Sequence, residues 1–236
     1  MSARRGPDLP YSVVCAVTPS RTKWLAASAK IAGSTFAPEP LKVYDSFIEV
    51  LDERPSFSSI VVNAPIGYRD SPEMGPRHCD LDARALLRHR GKFVHNAPTY
   101  LTINKGSAAP EDHLDAITAM LLPSYLEVSR EMFAYRQRVV YEGNPELSFY
   151  QLNGDVPLRD SKKLEDGRDE RRVILEKKVP NIDKIIDAEV DGVPSQHILD
   201  VAALLWTARR VFSRGAKRIP EDAEWDSQGL RMEFVY

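Results

Sequence analysis

The sequence lacks most of the devices that announce a function at once. Its 236 residues hold two cysteines, Cys15 and Cys79, and neither stands in a CxxC pair. That spacing argues against a thiolate zinc site, and Cys15, set in an apolar run, reads as a buried thiol. No apolar stretch approaches membrane-spanning length, and residues 11–17 are too short for a signal-peptide core. No membrane partner is therefore expected, and the cytoplasm is the expected location. A Gly-rich phosphate loop, a Ser nucleophile elbow and an HExxH helix are all missing. Nucleotide-dependent phosphotransferases, α/β-hydrolases and zinc proteases thus lack their usual hardware here. Charge of one sign is also lacking: 32 Lys and Arg against 34 Asp and Glu leave a net charge of -2. Contact with nucleic acid would need a local basic patch. No internal repeat or low-complexity segment is found.

What is present is an ordinary globular composition, with 43% hydrophobic and 28% charged residues. The chain is long enough for one large domain, expected over residues 1–236 with a flexible N-terminus at 1–10. Continuous β-branched runs predict buried strands at 12–17 and 59–63, and a further strand at 24–31 follows the Pro19–Thr22 turn. A third early strand is expected at 40–44, then a short helix over 47–51. Residues 79–89 read as a helix, 91–110 as a loop, and 115–138 as a long helix kinked or restarted at Pro123. A strand at 139–142 is ended by Gly143 and Pro145, and a short helix covers 146–152. Helices follow at 169–178 and 182–190. Ser195 caps a strong helix over 196–214 that Gly215 ends, and 230–236 is a terminal strand with alternating faces. Neighbouring early strands followed by strand–helix alternation give an α/β fold, a mixed sheet with helices on both faces.

Sites in such sheets lie beyond the carboxyl ends of strands. That singles out Thr18, Asn63 and Glu142. Glu142 ends a strand, and Glu146 follows it at the start of a short helix, where helix capping is an alternative role. Asp200 interrupts a helix that is apolar nearly all round. A carboxylate buried there needs a cation, either a metal ion or an arginine such as Arg77 or Arg84. His197 lies on the same helix face as Asp200 and by itself reads as structural. The run Ser161-Lys162-Lys163 to Arg168 and Arg171 could bind phosphates, or simply form a solvated helix face.

Taken in order, several segments resemble a bacterial family known as domain of unknown function 429. They are Asn63-Ala-Pro65-Ile66-Gly67, Arg77-His-Cys79-Asp80 with Arg84, and Glu142-Gly-Asn-Pro145-Glu146. Lys162-Lys163 through Arg171, Leu199-Asp200-Val-Ala-Ala203 and the tail 226–236 complete the set. The resemblance implies a ribonuclease-H-like fold and a predicted nuclease. Such an enzyme is a hydrolase of phosphodiesters that uses Mg²⁺ or Mn²⁺ held by converging carboxylates. On that reading Glu142 and Asp200 hold the ion, with Glu146 or Asp80 assisting, and Arg77, Arg84, Lys163 and Arg168 bind phosphates. Asp80 is counted with that substrate-binding set as well. The partner would be nucleic acid, with a homodimer left open. The resemblance would also lead to acids at the first strand end and before the Pro-Ile-Gly turn. Thr18 and Asn63 are neutral, so these acidic positions are vacated. The alternative expectation is a catalytically inactive binding member of the same fold.

Overall fold

A computed structural model describes residues 10–106 and 114–236 of the chain. The expected N-terminal extension lies, but for Pro10, outside the described residues, as do 107–113.

The first apolar run forms β1 (Ser12–Ser20) and turns at Arg21-Thr22 into β2 (Lys23–Ala32). The two pair antiparallel along their whole length, Ser12 opposite Ile31 and Ser20 opposite Lys23. The edge beyond β2 is shared by two short strands. β3 (Thr35–Pro38) pairs with its C-terminal half, and β4 (Lys42–Tyr44) pairs with its N-terminal half. The expected third strand is therefore β4, and β3 was not foreseen. On the other side of β1 lie two parallel strands, β5 (Ser59–Val62) and then β6 (Val140–Glu142). The sheet runs β3-β2-β1-β5-β6, with β4 on the flank of β2. It is a mixed sheet in an α/β fold, as the element order predicts.

Strand residues alternate between two cores because successive side chains point to opposite faces. Val14, Ala16, Leu25, Ala27 and Val61 face one core. There they pack under α5 (Pro145–Leu152), α6 (Glu165–Lys178), α7 (Asp183–Ile186) and α8 (Ser195–Phe212). Cys15, Val17, Trp24, Ala26, Ile60 and Val62 face the other, beneath α1 (Phe47–Asp52), α3 (Tyr100–Lys105) and α4 (Ala116–Glu131). Trp24 anchors this second core: its ring tilts against Phe47 at 5.1 Å and its Nε1–H donates to Glu127 at 2.9 Å. A third cluster joins α2 (His78–Leu87) and α5 to a hairpin of β7 (Arg218–Trp225) and β8 (Arg231–Val235). Val235 of that hairpin bridges to Gly143, just past β6. Gly143 is obligatory there. A Cβ would stand 2.4 Å from Val61 Cγ1 and 3.0 Å from Leu204 Cδ2.

Local corrections have local causes. Of the loop expected over 91–110, residues 107–110 lie outside the described residues, and the rest is not plain loop: Thr99 accepts from Thr102 N–H and caps α3. Helix α4 ends at Glu131, seven residues short of expectation, with Pro123 inside it. Pro194, not Ser195, precedes the first turn of α8. At its far end the left-handed residue is Arg214 (φ 60°), while Gly215 donates back to Arg210 at 2.7 Å. The helix expected over 182–190 is the single turn of α7, and β7 was not foreseen. β8 alternates as expected, yet both its faces are covered, so Glu233 is buried against Arg218 and Arg231. Among the described residues no helix is long and apolar enough to cross a membrane.

Candidate functional site

The three expected strand-end positions do not converge on one face, and Thr18 is not an end at all: β1 runs two residues further, to Ser20, while Asn63 follows β5 and Glu142 ends β6. Thr18 and Asn63 continue the Val14–Ala16 and Val61 alternation towards α8, and Asn63 Nδ2–H donates to Thr18 Oγ1 at 3.0 Å. Glu142 instead shares its face with Val140, on the α4 side. Asp200 comes from α8. The pleat therefore sends the two principal carboxylates to opposite sides of the sheet.

On the α4 side, Glu142 is 4% exposed and bound by Arg77 at both oxygens, Nη2 to Oε1 at 2.7 Å and Nη1 to Oε2 at 2.9 Å. The backbone N–H of Ile66 adds a bond at 2.7 Å. Arg77 also clasps Asp80 bidentately, at 2.7 and 3.1 Å, and reaches the Ile66 and Gly67 carbonyls. All its N–H directions are engaged inside the protein, and it is 2% exposed. Two carboxylates here share one guanidinium. Burial pushes the Glu142 carboxyl up to about 7, against the pull of Arg77.

The α8 side holds the second cluster. Asn144 caps α5 by accepting from the Glu146 N–H, which fixes Glu146 in the first turn. Glu146 Oε1 accepts from Arg90 at 2.8 Å and from Arg171 at 2.9 Å, and Oε2 accepts from Arg90 at 3.1 Å. All three side chains are buried. Burial again raises the carboxyl, but Arg90 and Arg171 outweigh it and hold Glu146 below the usual carboxylate range. Arg171 itself donates to the Gly167 and Asp160 carbonyls. Gly167 permits this close approach: a Cβ would lie 2.1 Å from Ser161 O. The turn so held presents Lys162.

Lys162 Nζ pairs with Asp200 Oδ2. The cation expected for Asp200 was a metal ion or an arginine such as Arg77 or Arg84; neither arginine pairs with it, and this lysine does. Asp200 is 3% exposed, and its Oδ1 is buried with no hydrogen-bond partner. One turn earlier His197 Nδ1 meets Ser20 Oγ at 3.3 Å. Burial lowers the pKa of His197, and Lys162 adds to that against Asp200, so the ring is neutral near pH 7.

The remaining expected residues are scattered. Arg84 donates to the Val94 carbonyl at 2.8 Å and to Asn96, at the far end of α2. Lys163 is exposed, and Arg168 bonds the Lys162 and Lys163 carbonyls, so it braces the turn. Arg90 and Arg171 were not singled out as partners of Glu146. A signal for Arg171 existed: Gly167, Arg171 and Leu175 fall at i, i+4 spacing on the buried stripe of α6. Among the described residues no three His, Cys, Asp or Glu side chains are grouped to hold a metal ion. The acids do not fit the converging, charge-rich set that Mg²⁺ or Mn²⁺ chemistry requires, because each is already paired with an arginine or lysine of the protein and Glu142 lies across the sheet from Asp200.

No curated protein and no solved structure matches the chain. A family model does, over residues 8–225. On that match the chain belongs to the family described as protein of unknown function, DUF429.

Proposed function

We propose that this is a ribonuclease-H-like protein that acts by binding, without metal-dependent phosphodiester hydrolysis. An antiparallel β3-β2-β1 group joined to parallel β5 and β6, with helices over both faces, supports that frame. The observation that carries the loss of chemistry is the Arg77 clamp, which engages Glu142 and Asp80 at all four oxygens. Glu142 and Asp200 also lie on opposite sides of the sheet, so they do not face a common point. The neutral pair Thr18–Asn63 supports the same reading. A cytoplasmic setting belongs to it too, since Cys15 and Cys79 are buried free thiols.

The test is cleavage of single- and double-stranded DNA and RNA with Mg²⁺ or Mn²⁺, beside calorimetric Mn²⁺ titration. No cation-dependent cleavage and no tight Mn²⁺ binding are expected. Cleavage abolished by both Asp200→Ala and Glu142→Ala would overturn the proposal. The second reading, a metal-dependent nuclease using Asp200, Glu142 and Glu146, is favoured by one observation: Asp200 Oδ1 is buried without a partner. Such an orphaned oxygen costs about 1–3 kcal/mol unless something satisfies it.

A further inference from the structure

We propose that the groove between the end of α4 and the β7–β8 turn is a stacking site for single-stranded nucleic acid. Just past α4, Phe133 and Tyr135 turn large rings outward, 51% and 63% exposed. The rings are parallel to within 1°, with centroids 6.0 Å apart. Arg136 fixes them from one side: its guanidinium carbon lies 5.8 Å from each centroid. Its Nη1 donates to the Glu131 carbonyl at 2.6 Å and carboxylate at 2.5 Å. Gln137 ties the same segment to β8 by two bonds to the Arg231 backbone, at 2.8 and 2.9 Å. The aromatic pair is thus a braced, solvent-facing platform and not a frayed helix end. Trp225, 64% exposed, stands across from Arg231 on the adjoining hairpin. Beside the platform is a cavity of about 520 Å³, lined by Arg130, Met132, Phe133, Tyr100, Ser227 and Gln228 among others.

Unpaired guanidinium donors decide the occupant. Arg130 and Arg138 are exposed, and among the described residues their side chains have no hydrogen-bond or ion-pair partner. Of the acids nearby, Asp70 in the cavity lining accepts from Ser227 Oγ at 2.6 Å and Asp226 accepts from Tyr100 OH at 2.7 Å, bonds that occupy the carboxylates without cancelling their charge. A free guanidinium on Arg130, in the same cavity lining as Phe133, and another on Arg138, three residues beyond Tyr135, match a ligand carrying both π faces and phosphates. The bases must be unpaired to reach the rings, which selects a single strand over a duplex. This inference rests on the reading that the chain acts by binding, and it uses a surface separate from the Asp200 cluster.

The experiment is fluorescence anisotropy of the full chain with a labelled oligonucleotide of about 12 nucleotides, a length within the usual site range, and with its duplex. Tighter binding of the single strand is expected. Tyr135→Ala should weaken it roughly tenfold or more, while Tyr135→Trp retains it. Arg130→Gln with Arg138→Gln should lower the log–log salt slope by roughly 0.7 per lost phosphate contact. Absence of binding by the parent protein overturns the proposal. So does binding that folded variants, checked by thermal melts, leave unchanged. A concentration-dependent dimer lost in Tyr135→Ala, without oligonucleotide binding, assigns the surface to a second copy and overturns it as well. Mg²⁺-dependent cleavage that Asp200→Ala abolishes would instead defeat the non-hydrolytic reading and leave the stacking site standing.

Discussion

Glu142 and Glu146 lie four residues apart and are equally buried, at 4% exposure, yet their surroundings are opposites. Glu142 and Asp80 share one cation, Arg77. Glu146 has two cations, Arg90 and Arg171, to itself. Burial raises both carboxyls, and the count of arginines sets the outcome: Glu142 ends near 7, Glu146 below the ordinary range. Desolvation is common to both, so partner stoichiometry decides the sign.

Removing the shared cation should do most damage. Arg77→Met leaves two buried carboxylates uncompensated, and a loss of about 4–5 kcal/mol in urea denaturation is expected. A loss below about 1 kcal/mol would show that the cluster reorganises or takes up protons at no cost. Glu146→Gln comes next, at about 3 kcal/mol, because Arg171 keeps its bonds to the Asp160 and Gly167 carbonyls. Lys162→Met should cost about 1–3 kcal/mol by stranding the Asp200 carboxylate. In the Asp200→Asn background the same change should cost less, and equal costs would remove the pair from the account.

Glu142→Gln is the mildest change, within about 1 kcal/mol near pH 7, since it relieves the surplus negative charge while keeping an acceptor for Ile66 N–H. Its signature is in the pH profile. The folded carboxyl titrates near 7 against 4.5 ordinarily, so its contribution is full below about 4.5 and is lost as pH rises through 7. Glu142→Gln should flatten that fall. Glu146, shifted the other way, contributes above the ordinary carboxylate range and loses that contribution only as pH falls through its lowered value. Stability measured from pH 4 to 8 in the parent and both variants separates the two.

The continuous apolar runs of β1 and β5 made those strands legible, and α8 was legible from its length and all-round apolarity. β3 and β7 were not, because Thr35–Pro38 and Arg218–Trp225 carry little periodicity and owe their extended form to pairing with β2 and β8. Helix α4 looked longer than it is because the aromatic segment beyond it has helical-looking composition. The burial of Asp200 could be read from its apolar neighbours. Its lysine could not, for Lys162 lies 38 residues away in a turn whose approach depends on Gly167.

The sequence alone settled that Thr18 and Asn63 are neutral where acids were expected and that a carboxylate sits within a buried helix. It also settled the alternation that splits the sheet into two cores, because a side chain's face follows from its parity along a strand. Only the tertiary structure decided that Glu142 and Asp200 fall on opposite sides, and which cation each acid receives. Those pairings join residues distant in sequence, and a buried charge takes whichever partner packing brings within hydrogen-bond reach.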